Sequence, residues 1–125
     1  MSIVYDAGVL VAADRSDRGV WADHRIRLEL ALVPLTTAPV VAQVSRSSQQ
    51  VQLRRFLRGC AIAAFSSDQA HKVGVLLGAA GMADVVDAHV VIVAGASGAT
   101  VITSDQDDLS SLSSHLEASV PVLPL

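Results

Sequence analysis

The chain has 125 residues, 51% of them hydrophobic, with nine Lys and Arg against twelve Asp and Glu for a formal net charge of −3. That length fits one domain with a substantial core, and the charge argues against nucleic-acid binding through a broad basic face. No apolar run approaches the roughly 20 residues of a bilayer span. Asp6 interrupts the N-terminus before a signal-peptide h-region can form, and Cys60 stands alone, so an internal disulfide is impossible. A soluble cytoplasmic protein without a membrane partner is the expectation.

Strand-like and helix-like segments alternate along the chain. Ile3-Val4-Tyr5 reads as a short strand, and Val20, Trp21, His24, Leu28 and Ala31 recur near helical spacing within 17–32. Val33-Pro34-Leu35-Thr36 is a second extended piece; Thr37 can cap a helix carrying Pro39 in its first turn. A helix over 49–58 presents Val51, Leu53, Phe56 and Leu57, with Gly59 placed to end it. The run from Cys60 to Phe65 predicts a strand. Ser66 and Gln69 form a capping-box pattern ahead of a helix that Gly81 stops. Asp84 opens a helix bearing Asp87 that reaches about Gly95; Thr100 to Thr103 is a strand; Leu109, Leu112 and Leu116 mark a short helix; Val120 to Leu123 closes the sheet. Such alternation predicts parallel pairing with right-handed crossovers, a three-layer α/β/α domain over 1–125.

Three aspartates occupy chemically expressive positions. Asp6 ends the first strand, Asp105 follows the Thr100–Thr103 strand, and Asp87 lies in the first turn of an apolar helix. Ligands of open parallel sheets gather at the carboxyl ends of the strands. Taken singly, Asp84 is a good N-cap, Asp87 suits a helix dipole, and Asp105, Asp107 and Asp108 can form a turn. Asp6, with Gly8 after it and no charged neighbour, has no such local role. Two like charges about 4 Å apart repel by roughly 4 kcal/mol at an effective dielectric near 20. Converging carboxylates therefore call for a cation, and hard oxygen donors select Mg²⁺ or Mn²⁺.

Other groups offer less. His24, His71, His89 and His115 make no metal-ligand spacing, and Cys60 begins an apolar strand, the place of a buried thiol. Gly95-Ala96-Ser97-Gly98 matches neither a phosphate loop nor a nucleophile elbow. Arg46, Arg54, Arg55 and Arg58 are concentrated in one stretch. They read either as solvated helix surface or as contacts to RNA phosphates or an acidic partner segment.

These residues carry a resemblance to a known family. Val4-Tyr5-Asp6-Ala7-Gly8-Val9-Leu10, Val86-Asp87-Ala88-His89-Val90-Val91 and Val101-Ile102-Thr103-Ser104-Asp105, the last followed by an acidic turn and Leu109, stand in the order and spacing of PIN-domain motifs. The whole chain resembles VapC-type toxin endoribonucleases of bacterial toxin–antitoxin pairs. The resemblance implies a PIN-like parallel sheet of four or five strands. It implies Mg²⁺ or Mn²⁺ on Asp6, Asp87 and Asp105, support from Thr103 and Asp107, and cleavage of RNA. It also implies homodimers and inhibition by a VapB-type antitoxin. One departure stands out: Gln43 occupies the place of the family's glutamate. Asp84, one turn before Asp87 and on the same helix face, is positioned to restore that carboxylate as a fourth catalytic acid. The alternative is a degenerate PIN domain that binds RNA or an antitoxin without cutting. A haloacid-dehalogenase-type phosphatase is disfavoured, since Gly8 stands where a second Asp is required.

Overall fold

β-Branched and aromatic side chains favour extended backbone where they pack on a sheet, and the first of them, Ile3, Val4 and Tyr5, form the buried centre of the molecule. The computed structural model describes residues 2–125. Five short strands, β1 (Ser2–Tyr5), β2 (Leu35–Thr37), β3 (Ala61–Ala63), β4 (Ala99–Thr103) and β5 (Val122–Pro124), pair in the order β3-β2-β1-β4-β5, all parallel. The chain thus steps outward from β1 to β3 and then returns to the other side of β1. Right-handed crossovers place α1 (Ala7–Asp14), α2 (Arg18–Glu29), α3 (Ala38–Val44) and α4 (Val51–Leu57) on one face. The other face carries α5 (Ser67–Ala80), α6 (Val85–Ser97) and α7 (Gln106–Ser113). This is the expected three-layer α/β/α architecture, with five strands. Among the described residues, no single helix is long and apolar enough to cross a membrane.

The core divides by face. Tyr5, Phe56, Trp21 and His24 interlock between β1, α2 and α4; His24 stacks on Phe56 with ring centroids 4.0 Å apart. On the other face α6 is apolar almost throughout, with Val90, Val91, Val93 and Ala94 buried. Ser66 and Gln69 make the capping box that opens α5, and Gly81 ends it in the left-handed conformation, at φ +67°.

Four local expectations are corrected. Helix α1 precedes α2, and no amphipathic period announces it because Val9, Leu10 and Ala13 are buried in a segment apolar on most sides. Strand β3 is only Ala61–Ala63; at the sheet edge Ala61 and Ile62 are exposed, and Phe65 leaves the sheet to meet the His89 ring edge-on, centroids 4.7 Å apart. Strand β5 starts at Val122 because the N–H and carbonyl of Val120 are both bound by the Ser113 hydroxyl. Gly59 is no left-handed cap. A Cβ there would lie 2.8 Å from His24 Nε2 and 2.9 Å from Leu28 Cδ1, so its smallness admits the α2 side chains.

Candidate active site

The strand order reverses between β1 and β4, and the crevice outside their carboxyl ends is where such a sheet binds ligands. Asp6 leaves β1 into that crevice, with its N–H donating to the Ile102 carbonyl at 3.0 Å. Its side chain is 4% exposed. One carboxylate oxygen, Oδ2, accepts a 2.6 Å hydrogen bond from the Thr103 hydroxyl. The other, Oδ1, is buried without a partner. Thr103 Oγ1 in turn accepts from the Asp105 N–H at 2.9 Å. One hydroxyl at the end of β4 therefore fixes the first acid and the turn bearing the last. That junction also depends on Gly8, where a Cβ would fall 2.3 Å from Ser104 Oγ and 2.8 Å from Ser104 Cβ.

Helix α6 supplies the third element. Asp84 caps it, accepting from the Asp87 N–H at 3.0 Å, and this aims the first turn at the crevice. Asp87, Asp105 and Asp108 each offer a carboxylate oxygen, and these lie within 4.8 Å of one another. Burial pushes the Asp87 carboxyl up to about 7, helped by the charges of Asp84, Asp6, Asp105 and Asp108. Desolvation also raises Asp105, followed by the charges of Asp108 and Asp6. The sole ion pair among the described residues joins Lys72 to Asp68 on α5, so no side-chain cation compensates this field. Such an array is costly without a bound cation, and its all-oxygen donors match a hard divalent ion.

Asp108, and not the expected Asp107, joins the site from α7. With Asp105 at the N-cap of α7, Asp108 stands at i+3 and returns to the same side; Asp107 lies outside the converging group, and so does Asp6, which the expected trio had included in place of Asp108. The i, i+3 spacing after a strand-end acid is the signal that finds it. Gln43 is exposed on α3 and makes no hydrogen bond among the described residues. The four arginines separate: Arg46 donates to the Ala42 and Ser45 carbonyls and Arg54 to that of Ser48, while Arg58 caps α4. Arg55 lies over the Trp21 ring, 5.8 Å from its centroid. His89 is fully buried with Nε2 3.0 Å from Gln69 Oε1, and His24 meets Tyr5 Oη at 3.0 Å, so both serve packing. Burial pushes the Cys60 thiol up to about 12, as an inert structural thiol requires.

No protein-family model and no curated protein matches the chain. Solved structures do. VapBC2 from Rickettsia felis, bound to a DNA fragment from its promoter, is similar over 100% of this chain and 99% of its own, with a TM-score of 0.68 at 16% identity. PAE2754 from Pyrobaculum aerophilum matches with a TM-score of 0.65 at 13% identity, over 98% of this chain and 90% of its own. The chain has the PIN-domain fold. FitAB bound to an IR36 DNA fragment is a third likeness, with a TM-score of 0.64 at 16% identity, covering 98% of this chain and 94% of its own. In this PIN fold the acids described above stand at the switch point of the sheet.

Proposed function

We propose that the protein is a divalent-metal-dependent endoribonuclease, the toxin of a toxin–antitoxin pair, acting in the cytoplasm. The observation that carries the reading is the convergence of Asp87, Asp105 and Asp108, whose carboxylate oxygens lie within 4.8 Å of one another, beside an Asp6 that is buried with Oδ1 unpartnered and whose charge reaches Asp87 and Asp105. A carboxylate oxygen without a donor costs stability unless something else binds it. The donor set fits Mg²⁺ or Mn²⁺: Asp6 and Asp87 at the buried floor, Asp105 and Asp108 at the exposed rim. An ion held there supplies charge to the scissile phosphodiester and lowers the pKa of an attacking water. The protein's own part is positional. Thr103 holds Asp6 and the Asp105 turn in register, and Asp87, with its carboxyl raised to about 7, is about half protonated at neutral pH. The full-length fold likeness and the three motifs support a VapB-type antitoxin and a second copy of this chain as partners.

The test is cleavage of RNA by the purified chain. Activity should disappear in EDTA, return with Mg²⁺ or Mn²⁺, and be abolished by Asp6→Asn, which removes charge at nearly constant volume. Full activity in EDTA would refute the assignment. Gln43 favours a second reading, a module that binds RNA or antitoxin without cutting, because an exposed amide adds no charge and cannot act as a base. A wild type that cuts nothing until Gln43→Glu is introduced would establish that reading.

A further inference from the structure

A second, oppositely charged site lies between α2 and α4. Arg18, Trp21 and Arg25 follow one another along one side of α2, and Gln52 and Arg55 face them from α4, enclosing with Ser16 a cleft of about 430 Å³. Arg18 and Arg25 are separated by seven residues, about 10 Å along a helix. No carboxylate lines this cleft, and none of its three guanidiniums forms an ion pair among the described residues. In a chain of net charge −3 such a concentration is local. Arg55 is already ordered, donating to Gln52 Oε1 at 3.0 Å while lying over the Trp21 indole.

We propose that this cleft between α2 and α4 binds the backbone and one base of single-stranded RNA, as an exosite for the nuclease centre. Guanidiniums are suited to phosphate oxygens in fork geometry, and the Arg55 guanidinium, 5.8 Å from the Trp21 ring centroid, and the half-buried indole itself are planar groups on which a base can stack. The chemistry favours RNA over an acidic helix. A docked helix needs apolar anchors at i, i+3, i+4 and i+7, whereas the indole and the Ala22 methyl are the only apolar side chains here. Helix α1 begins beside Asp6 and ends two residues before Ser16, and its eight residues span about 12 Å. A strand of a few nucleotides can therefore touch both sites. The identity of the polyanion rests on the ribonuclease reading, but its binding can be measured apart from cleavage.

The experiment titrates the full chain, in EDTA, with a fluorescein-labelled single-stranded RNA 12-mer. Anisotropy follows the RNA, and emission from the single tryptophan, Trp21, follows the cleft. Binding should perturb Trp21 emission in the wild type. The triple variant Arg18→Gln/Arg25→Gln/Arg55→Gln should bind about tenfold or more weakly, with a salt slope smaller by about 2, as expected for three lost phosphate contacts. The triple Lys variant should regain most of that slope, and Lys72→Gln on α5 should match wild type. RNA binding that leaves Trp21 emission unchanged would overturn the proposal. So would wild-type affinity in the triple Gln variant, or a poly-glutamate 12-mer that binds the cleft more tightly than RNA. Cleavage absent from a protein that still binds RNA here would refute the nuclease reading alone.

Discussion

Asp87 offers the most direct physical test of the acidic centre. An aspartate ordinarily loses its proton near pH 4, yet burial and four neighbouring acids hold this one to about 7. Below about pH 4 the carboxyl is protonated in folded and unfolded chains alike and costs nothing. As pH rises from 4 to 7 the unfolded chain releases this proton first, so the fold loses stability, and above 7 the loss is complete. Three decades of proton affinity at about 1.4 kcal/mol each set a ceiling near 4 kcal/mol. Asp84, Asp105 and Asp108 are exposed, and water screens their share, which leaves about 2 kcal/mol as the expected penalty at pH 8. His24 and His89 act with the opposite sign. Burial lowers both, so they favour the fold increasingly as pH rises through the range where an unfolded histidine deprotonates. The difference between wild type and Asp87→Asn cancels them. Urea denaturation in EDTA, followed by Trp21 fluorescence, should show the Asn variant more stable by about 2 kcal/mol at pH 8, by about half as much at pH 4.5, and nearly equal to wild type at pH 3. Saturating Mg²⁺ at pH 8 should stabilise wild type and close the gap. A gap that stays constant with pH, or widens toward acid, would refute the reasoning.

The remaining expectations concern how the centre is held. Gly8→Ala places a methyl 2.3 Å from Ser104 Oγ and should destabilise by about 1–3 kcal/mol in urea melts, with most of the loss recovered in Gly8→Ala/Ser104→Gly. Thr103→Val strips the donor from Asp6 Oδ2 and should cost about 1–3 kcal/mol by the same measurement, whereas Thr103→Ser should not. Mn²⁺ binding at pH 7 should release about half a proton from Asp87, read by calorimetry in buffers of differing ionisation enthalpy.

The layer architecture was legible because its signals are local and mutually consistent. The capping box at Ser66 and Gln69, the Gly81 stop and the Thr37 cap each concern neighbours within four residues. Contacts remote in sequence were not legible. Nothing near Gly8 indicates that Ser104 will lie against it, and nothing near Val120 indicates that Ser113 will take its backbone. Asp6 could be singled out because no local role explained it. Asp108 is hidden in the sequence by its equally good fit to a turn; only the N-cap position of Asp105 shows that i+3, rather than i+2, returns to the crevice. The arginine run misled in a different way. Arg46 and Arg54 are spent on backbone carbonyls, and the cleft on α2 draws Arg18 and Arg25 from far upstream.

Asp84 combines a helix cap and a share of the acidic field in one side chain. The structure gives it a local task, since its Oδ1 accepts from the Asp87 N–H and caps α6. Its charge is also the foremost electrostatic contribution to the raised Asp87 carboxyl after burial itself. Asp84→Asn separates the two, because Asn caps a helix about as well as Asp. The variant should keep wild-type stability at low pH and gain stability at pH 8 in EDTA as Asp87 loses part of its upward shift. If Asp84 supplies the charge that Gln43 lacks, Mn²⁺ affinity should fall several-fold, and cleavage should weaken while stopping short of the abolition expected for Asp6→Asn. Asp84→Ala should show the same loss of affinity plus about 1 kcal/mol for the missing cap. Unchanged Mn²⁺ affinity in Asp84→Asn, together with an unchanged pH midpoint for Asp87, would leave Asp84 with capping alone. The ion would then depend on Asp6, Asp87, Asp105 and Asp108, the acids at the switch point of the sheet.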